Sequence, residues 1–238
     1  MSSYVETIEQ VILSQPENRI IIASRLYAYI SRLVPEMTYY KTLERMTKTG
    51  KLEHLTKGLY YRPRMTEYGV IPLGERTIID FYSGGTKGIV VGASLYNSKG
   101  ISTQIGKRVE ILSTVLTEQK KNIRNVSISR IDMRISKNVS ETIEVLEILQ
   151  NYYSIEDLNK GALVRFLETY GSNYSEKTVE YVLKNRKYKK STIAFLAAIM
   201  THMGIENTLK KHLSGLSVYS IPTMRELYET ALISIRVQ

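Results

Sequence analysis

At 238 residues, 43% of them hydrophobic, the chain carries enough apolar material for a buried core and enough length for one or two domains. It contains no cysteine and no tryptophan, which excludes a disulfide framework and a thiolate zinc site and makes the cytoplasm the expected location. A formal net charge of +10 points to nucleic acid, an anionic membrane or an acidic protein as partner.

The first residues, with Glu6 and Glu9 close behind Met1 and Ser2, lack the basic start and apolar run of a secretory signal. The longest apolar stretch, Ile193 to Met200, is far shorter than the ~20 residues of a membrane span. It reads as a buried core helix, and no membrane association is expected. The charge is unevenly spread. Arg19 to Met65 holds ten Lys or Arg against three Glu, whereas Thr66 to Gln150 holds eleven against nine acidic residues.

In chain order, Tyr4 to Leu13 puts Val5, Ile8, Ile12 and Leu13 on one helical face, and Pro16 follows as a stop. A short apolar piece, Ile20 to Ile22, precedes a second helix over Ala23 to Leu33. The Val34-Pro35 step breaks it, because a residue before proline is pushed out of the helical region. A third helix over Pro35 to Thr49 is closed by Gly50. Lys51 to Pro63 then reads as two short strands joined at Lys57-Gly58, with Pro63 as the stop.

Three helices followed by a hairpin is the order of a winged helix, whose third helix enters the major groove while the hairpin touches the backbone. On the third helix, Tyr39, Leu43 and Met46 recur at helical spacing and face inward. Thr38, Lys41, Thr42, Arg45 and Lys48 are expected together on the opposite face, where such side chains reach base edges and phosphates. Any amphipathic helix also has a polar face. The hairpin adds Lys57 at its tip, with Arg62 and Arg64 beyond. Tyr60 is expected to pack, and Tyr61 to pack or to stack on the nucleic acid.

The middle of the chain reads as a helix over Gly74 to Tyr82 with Ile78, Ile79 and Tyr82 inward, a strand at Ile89 to Val91, a short helix over Ala93 to Ser98 and a strand at Val109 to Leu112. Asn122 to Ile135 alternates, but Val126 and Ile128 differ in parity from Ile131, Met133 and Ile135, so a bulge near Ser129 or Arg130 is expected. Arg130, Asp132 and Arg134 then share one strand face, which reads as a solvated or ion-paired row in preference to a binding surface. Helices follow at Glu141 to Leu149, Glu156 to Thr169, Glu176 to Lys184, Thr192 to Met203 and Thr223 to Ile235, and the positions of Leu158, Phe166 and Leu167 mark a bundle. The cluster Lys184, Arg186, Lys187, Lys189 and Lys190 fits a helix end, where cations offset the macrodipole, or a contact with nucleic acid or a partner. The predicted class is therefore α+β. A winged-helix domain spans 1–65, and a second region spans 66–238, with a small mixed sheet and helices over 66–138 and a helical bundle over 139–238.

Catalytic patterns are scarce. His202 and His212 stand ten residues apart, not at the i, i+4 spacing of a helical metal pair. Ser83-Gly84-Gly85-Thr86-Lys87 lacks phosphate-loop spacing and reads as a turn. No serine occupies a nucleophile elbow. Asp80, Glu110 and Asp132 could supply nuclease carboxylates, but Ile111 and Leu112 follow Glu110 with no lysine at the usual offset. No enzyme activity, cofactor or metal is expected.

The segment from Gly50 through Leu52, Leu55, Lys57-Gly58-Leu59-Tyr60 to Pro63 resembles the wing of the antitoxin half of AbiE-type abortive-infection systems, which are bacterial type IV toxin-antitoxin pairs. The likeness continues through Arg64-Met-Thr-Glu-Tyr68-Gly69, Ile71-Pro72, Val91-Gly92-Ala93 and Gly100-Ile101-Ser102-Thr103-Gln104, which is similar to the family's Gly-Leu-Ser-Thr-Gln element. It covers roughly the first 135 residues. Lys57 stands where arginine is common, and His54 where a basic residue is usual. The resemblance implies a protein that represses its own operon by binding inverted repeats of duplex DNA in the promoter. It also implies that the rest of the chain opposes a nucleotidyltransferase toxin without a stable complex. The other reading open to the sequence is a winged-helix regulator unrelated to a toxin, with a sensing or dimerising C-terminal region.

Overall fold

A computed structural model of the chain describes residues 3–229. The chain is α+β and divides into two compact units, Met1–Phe81 and Tyr82–Gln238. That division falls later than the boundary expected at 65/66, because the first unit includes further elements beyond the hairpin.

The first unit opens with α1 (Tyr4–Leu13). Ser3 caps it: the Glu6 backbone N–H donates to the Ser3 hydroxyl, and the Glu6 carboxylate accepts from the Ser3 N–H at 2.9 Å, which satisfies two amides the helix itself cannot. Ile8 and Ile12 are fully buried, but Leu13 is largely exposed. Its expected place on the buried face is corrected because five residues of helix rotate it well away from Ile8.

After β1 (Ile20–Ile22) comes α2 (Ala23–Ile30), which ends before Leu33 in a turn over Ser31 to Val34. Pro35 caps α3 (Glu36–Lys48) with extended backbone, and Gly50, at φ 71, lets the chain leave. Strands β2 (Glu53–Thr56) and β3 (Leu59–Tyr61) form the expected hairpin. The apolar Ile20–Ile22 piece completes it. It pairs antiparallel with β3, Ile20 opposite Tyr61 and Ile22 opposite Leu59, and gives the order β1-β3-β2. A second hairpin, β4 (Arg64–Thr66) with β5 (Gly69–Ile71), follows where no element was expected. Then comes α4 (Glu75–Ser83), with Ile78 and Tyr82 buried as predicted and Ile79 half-buried.

The second unit holds β6 (Gly88–Val91), α5 (Ala93–Ser98), β7 (Val109–Ser113), β8 (Lys120–Ile123) and β9 (Val126–Arg130). They form a mixed sheet of order β6-β7-β9-β8, in which β7 and β9 are parallel and the other pairs antiparallel. The alternating stretch Asn122 to Ile135 is not one bulged strand. Arg124, at φ 51, turns β8 back into β9, and β9 ends at Arg130. Beyond it Ile131, Met133 and Ile135 are buried while Arg130, Asp132 and Arg134 are exposed, so parity shifts at a strand end. Arg130 Nε lies 2.7 Å from Asp132 Oδ1, so two of the three charged residues pair, but Asp132 and Arg134 lie beyond the strand and the expected shared strand face is corrected.

Helices α6 (Lys137–Gln150), α7 (Lys160–Ser172), α8 (Glu176–Asn185) and α9 (Lys190–His202) complete this unit. α6 begins a turn earlier than its apolar pattern because Ser136 caps it, and α7 begins later because Asn159 caps it and leaves Leu158 ahead of the helix. From Ile193 to Met200 only Ala198 escapes full burial, so α9 is the core helix its composition predicted. Each such Leu, Ile or Phe removed from water contributes roughly 1.5–3 kcal/mol. Residues 224–229 are helical, and the remainder of the helix expected over Thr223 to Ile235 lies outside the described residues. No described helix is long and apolar enough to cross a membrane.

Candidate nucleic-acid interface

Helix α3 is amphipathic, and its inward side is set by Tyr39, Thr42, Leu43 and Met46, all buried against the core that also holds Ile8, Ile12 and Ile30. The Tyr39 hydroxyl donates to the Ala23 carbonyl at 3.0 Å, which ties α3 to α2. Burial pushes its pKa above the ordinary tyrosine range, with the nearby Tyr40 and Tyr60 adding to the shift, so it stays a donor. Thr42 therefore leaves the group expected on the outer face. It is 3% exposed and its hydroxyl donates to the Thr38 carbonyl at 2.8 Å, because Thr42 stands roughly 100° from Lys41 and roughly 120° from Lys48 on the helical wheel but only about 40° from Met46, inside the apolar arc.

The outer face keeps Lys41, Arg45 and Lys48 exposed, with Thr38 half-buried on the flank. Their electrostatic states differ. Arg45 Nη2 lies 2.7 Å from Glu9 Oε1 on α1, and Lys51 Nζ lies 3.4 Å from the other oxygen. The Arg45 hydrogen bond holds the Glu9 carboxyl below its usual range, against a small opposing effect of burial, with Lys51 assisting. Lys48 pairs with Glu44 one turn back at 2.8 Å. Lys41 has no ion-pair partner among the described residues. Exposed pairs of the Arg45 and Lys48 kind are worth less than about 1 kcal/mol, so an incoming phosphate can exchange for either carboxylate.

The β2-β3 hairpin stands beside the Tyr40–Glu44 flank of α3. Tyr60 is half-buried, its ring 5.0 Å from that of His54, and its pKa is raised by burial first and then by Tyr40 and Glu44. Packing is thus its role, as expected. Gly58 at the tip has φ 75, and its carbonyl accepts from the Ala23 N–H at 3.0 Å. Lys57 beside it is exposed and without an ion-pair partner among the described residues, and so is Arg64 at the start of β4.

Two expected contact residues are turned away from solvent. Tyr61 is 4% exposed because strand alternation puts it on the same inner face as Leu59. Arg62 runs back under the hairpin: its Nη1 donates to the carbonyls of Leu13 and Gln15 at the end of α1, and its Nη2 lies 3.9 Å from Glu17. Those carbonyls belong to a helix terminus with no further turn to satisfy them. Arg62 is a structural clamp, and a phosphate contact is corrected on that ground.

Sequence periodicity alone overlooked exposed groups around the α2–α3 turn. Arg25 on α2 and Arg32 in the turn are exposed and without ion-pair partners among the described residues, and Tyr29, Leu33 and Met37 are 83%, 64% and 70% exposed. The signal was the i, i+4 spacing of Arg25 and Tyr29 on α2, away from the inward Tyr27 and Ile30, with Arg32 in the turn that follows. Among the described residues no group of three His, Cys, Asp or Glu could hold a metal ion.

No protein-family model and no curated protein matches the sequence. Over its whole length the chain is similar to the crystal structure of the RV2827C protein from Mycobacterium tuberculosis, at 13% identity and a TM-score of 0.48, covering 100% of this chain and 95% of that one.

Proposed function

We propose that the chain is a self-regulating antitoxin. Its first unit, acting as a winged helix, binds inverted repeats of duplex DNA in its own promoter, and the rest of the chain counters a nucleotidyltransferase toxin without forming a stable complex. One observation carries the DNA-binding part: Lys41 on the outer face of α3 and Lys57 at the hairpin tip are both exposed and unpaired among the described residues, in the element order of a winged helix. Lys41, Arg45 and Lys48 with Thr38 face the groove, and Lys57 and Arg64 take phosphates. Arg45 and Lys48 exchange their surface carboxylates for the nucleic acid. The toxin part is supported by the sequence resemblance across the first 135 residues or so.

Gel-shift titration of the full chain on its promoter tests the first part. With two phosphate contacts, affinity falls about tenfold between ~50 and ~200 mM salt. Lys41→Ala relaxes sequence preference, with about 1–3 kcal/mol of discrimination lost if the contact is bidentate. Lys57→Ala weakens every duplex alike and lowers the salt slope by about one. The reverse pattern would put the wrong element in the groove, and salt-independent binding would sink the repressor reading.

The second part predicts that the chain, expressed from an independent promoter, restores growth to cells carrying the neighbouring toxin. The Lys41→Ala variant restores growth equally well, since rescue does not then depend on repression. Absence of rescue by either protein leaves a plain regulator.

A further inference from the structure

A groove in the second unit is lined by none of the residues proposed above to contact DNA, and the strand register explains how it arises. On one face of the sheet, Leu112 stands between Ile89 and Ser129, and Glu110 between Val91 and Ser127. Strand β8 extends these rows with Lys120 beside Ser129 and Asn122 beside Ser127. Alternate side chains share a face, so this face is apolar on β6 and part of β7 and polar across β9 and β8. Ile89, Val91 and Leu112 join the main core with the buried side of α6. The polar part stays open as a groove of about 480 Å3, with Lys107 and Arg108 from the segment before β7 on its rim and Glu147 and Arg186 in its wall.

Its cations are of two kinds. Arg186 is held by α6: its Nε and Nη2 donate to Glu147 Oε1 at 3.0 and 2.8 Å, and Nη1 makes no hydrogen bond among the described residues. That pair neutralises itself. Lys107, Arg108 and Lys120 are exposed and form no ion pair among the described residues, and Glu110 is the one further carboxylate in the lining. The Ser127 and Ser129 hydroxyls, on a buried and a half-buried side chain, make no hydrogen bond among the described residues.

Three like charges gathered around one hollow repel one another. A polyanion relieves that repulsion, and the Ser127 and Ser129 hydroxyls, which water still reaches, are free to bond to it. The volume lies within the ~300–1,000 Å3 of small-ligand sites. No aromatic ring lines the groove among the described residues, so recognition there rests on phosphates and hydroxyls rather than on base stacking.

We propose that this groove binds a nucleoside triphosphate, with Lys107, Arg108 and Lys120 on the phosphate oxygens and Glu110, Ser127 and Ser129 facing the sugar hydroxyls. The groove lies wholly within the second unit, so the proposal stands or falls independently of DNA binding. Isothermal titration of the full chain with ATP, adenosine and tripolyphosphate tests it. ATP binds saturably, adenosine does not, and tripolyphosphate binds more weakly than ATP. Joint replacement Arg108→Ala and Lys120→Ala, at exposed positions whose loss leaves the fold intact by circular dichroism, weakens ATP binding at least about tenfold. Lys177→Ala, at an exposed lysine of α8 outside the groove, leaves it unchanged. Failure of ATP to saturate the protein at millimolar concentration overturns the proposal, as does equal binding by the double variant or equal loss in Lys177→Ala. Tripolyphosphate binding as tightly as ATP overturns the nucleotide assignment.

Discussion

Arg62→Ala destabilises the first unit by about 2–3 kcal/mol, because hydrogen bonds from a charged donor are each worth roughly 1.5–3 kcal/mol and water replaces part of what is lost. The discount is needed since the Arg62 side chain keeps 21% of its surface exposed. Its guanidinium serves the Leu13 and Gln15 carbonyls at the end of α1 and sits 3.9 Å from Glu17, while its own carbonyl accepts from the Asn18 N–H at 2.8 Å. The side chain therefore fastens the first helix to the last strand of the hairpin. Native-state hydrogen exchange on the full chain checks it, since opening of α1 and β3 becomes easier while α9 keeps its protection. Arg62→Lys recovers only part of the loss, because an ammonium lacks the planar fork of a guanidinium. Loss of DNA affinity with unchanged protection would return Arg62 to the phosphate-binding set.

The largest expected effect belongs to Glu147→Ala. The Glu147 side chain is 9% exposed and that of Arg186 28%, so the pair is largely shielded. Burial alone would lower the Arg186 pKa, but the Glu147 charge outweighs it and the pKa ends above its ordinary value, with Tyr188 contributing. The Tyr188 hydroxyl accepts from Arg186 Nε at 3.2 Å, and the guanidinium lies 5.5 Å from the ring centre. Burial, with Glu147 next in effect, pushes the Tyr188 phenol well above its usual range. Removing the carboxylate strands a guanidinium that cannot shed its proton, and breaking a buried pair from one side costs about 3–5 kcal/mol. Replacing both partners, Glu147→Leu with Arg186→Met, costs far less and can even stabilise. Urea unfolding followed in the second unit gives both values. Additive losses in the double variant would show that the two residues act independently.

The basic cluster near Arg186 shows how the two kinds of cation part company in three dimensions. Lys184 lies in the last turn of α8, where a cation offsets the helix macrodipole. Lys189 and Lys190 instead cap and begin α9, the end where a positive charge is unfavourable. The Lys189 N–H donates to Gln150 at the end of α6 at 3.1 Å, so the segment is positioned by α6 rather than by helix electrostatics.

Local signals in the sequence were sufficient for much of this protein. Prolines and glycines delimit elements through the φ values they impose, as at Pro35 and Gly50, and the hairpin joined at Lys57-Gly58 follows from the same chemistry. The apolar run from Ile193 to Met200 declared a buried helix because no amphipathic surface helix has so little polar face. Contacts distant in sequence were not legible. Thr42 and Tyr61 differ from an exposed threonine and tyrosine only in which way their elements turn, and that is decided by what packs against them. Arg62 reads as one more surface cation until the end of α1, 47 and 49 residues away, is brought beneath it. Glu147 and Arg186 are 39 residues apart, and the groove they wall collects cations from a loop, a strand and a helix end. Residue type determined each group's charge and hydrogen-bonding capacity. Tertiary packing determined its partner, because the free energy of burying a charge or a carbonyl depends on what stands within about 3 Å of it.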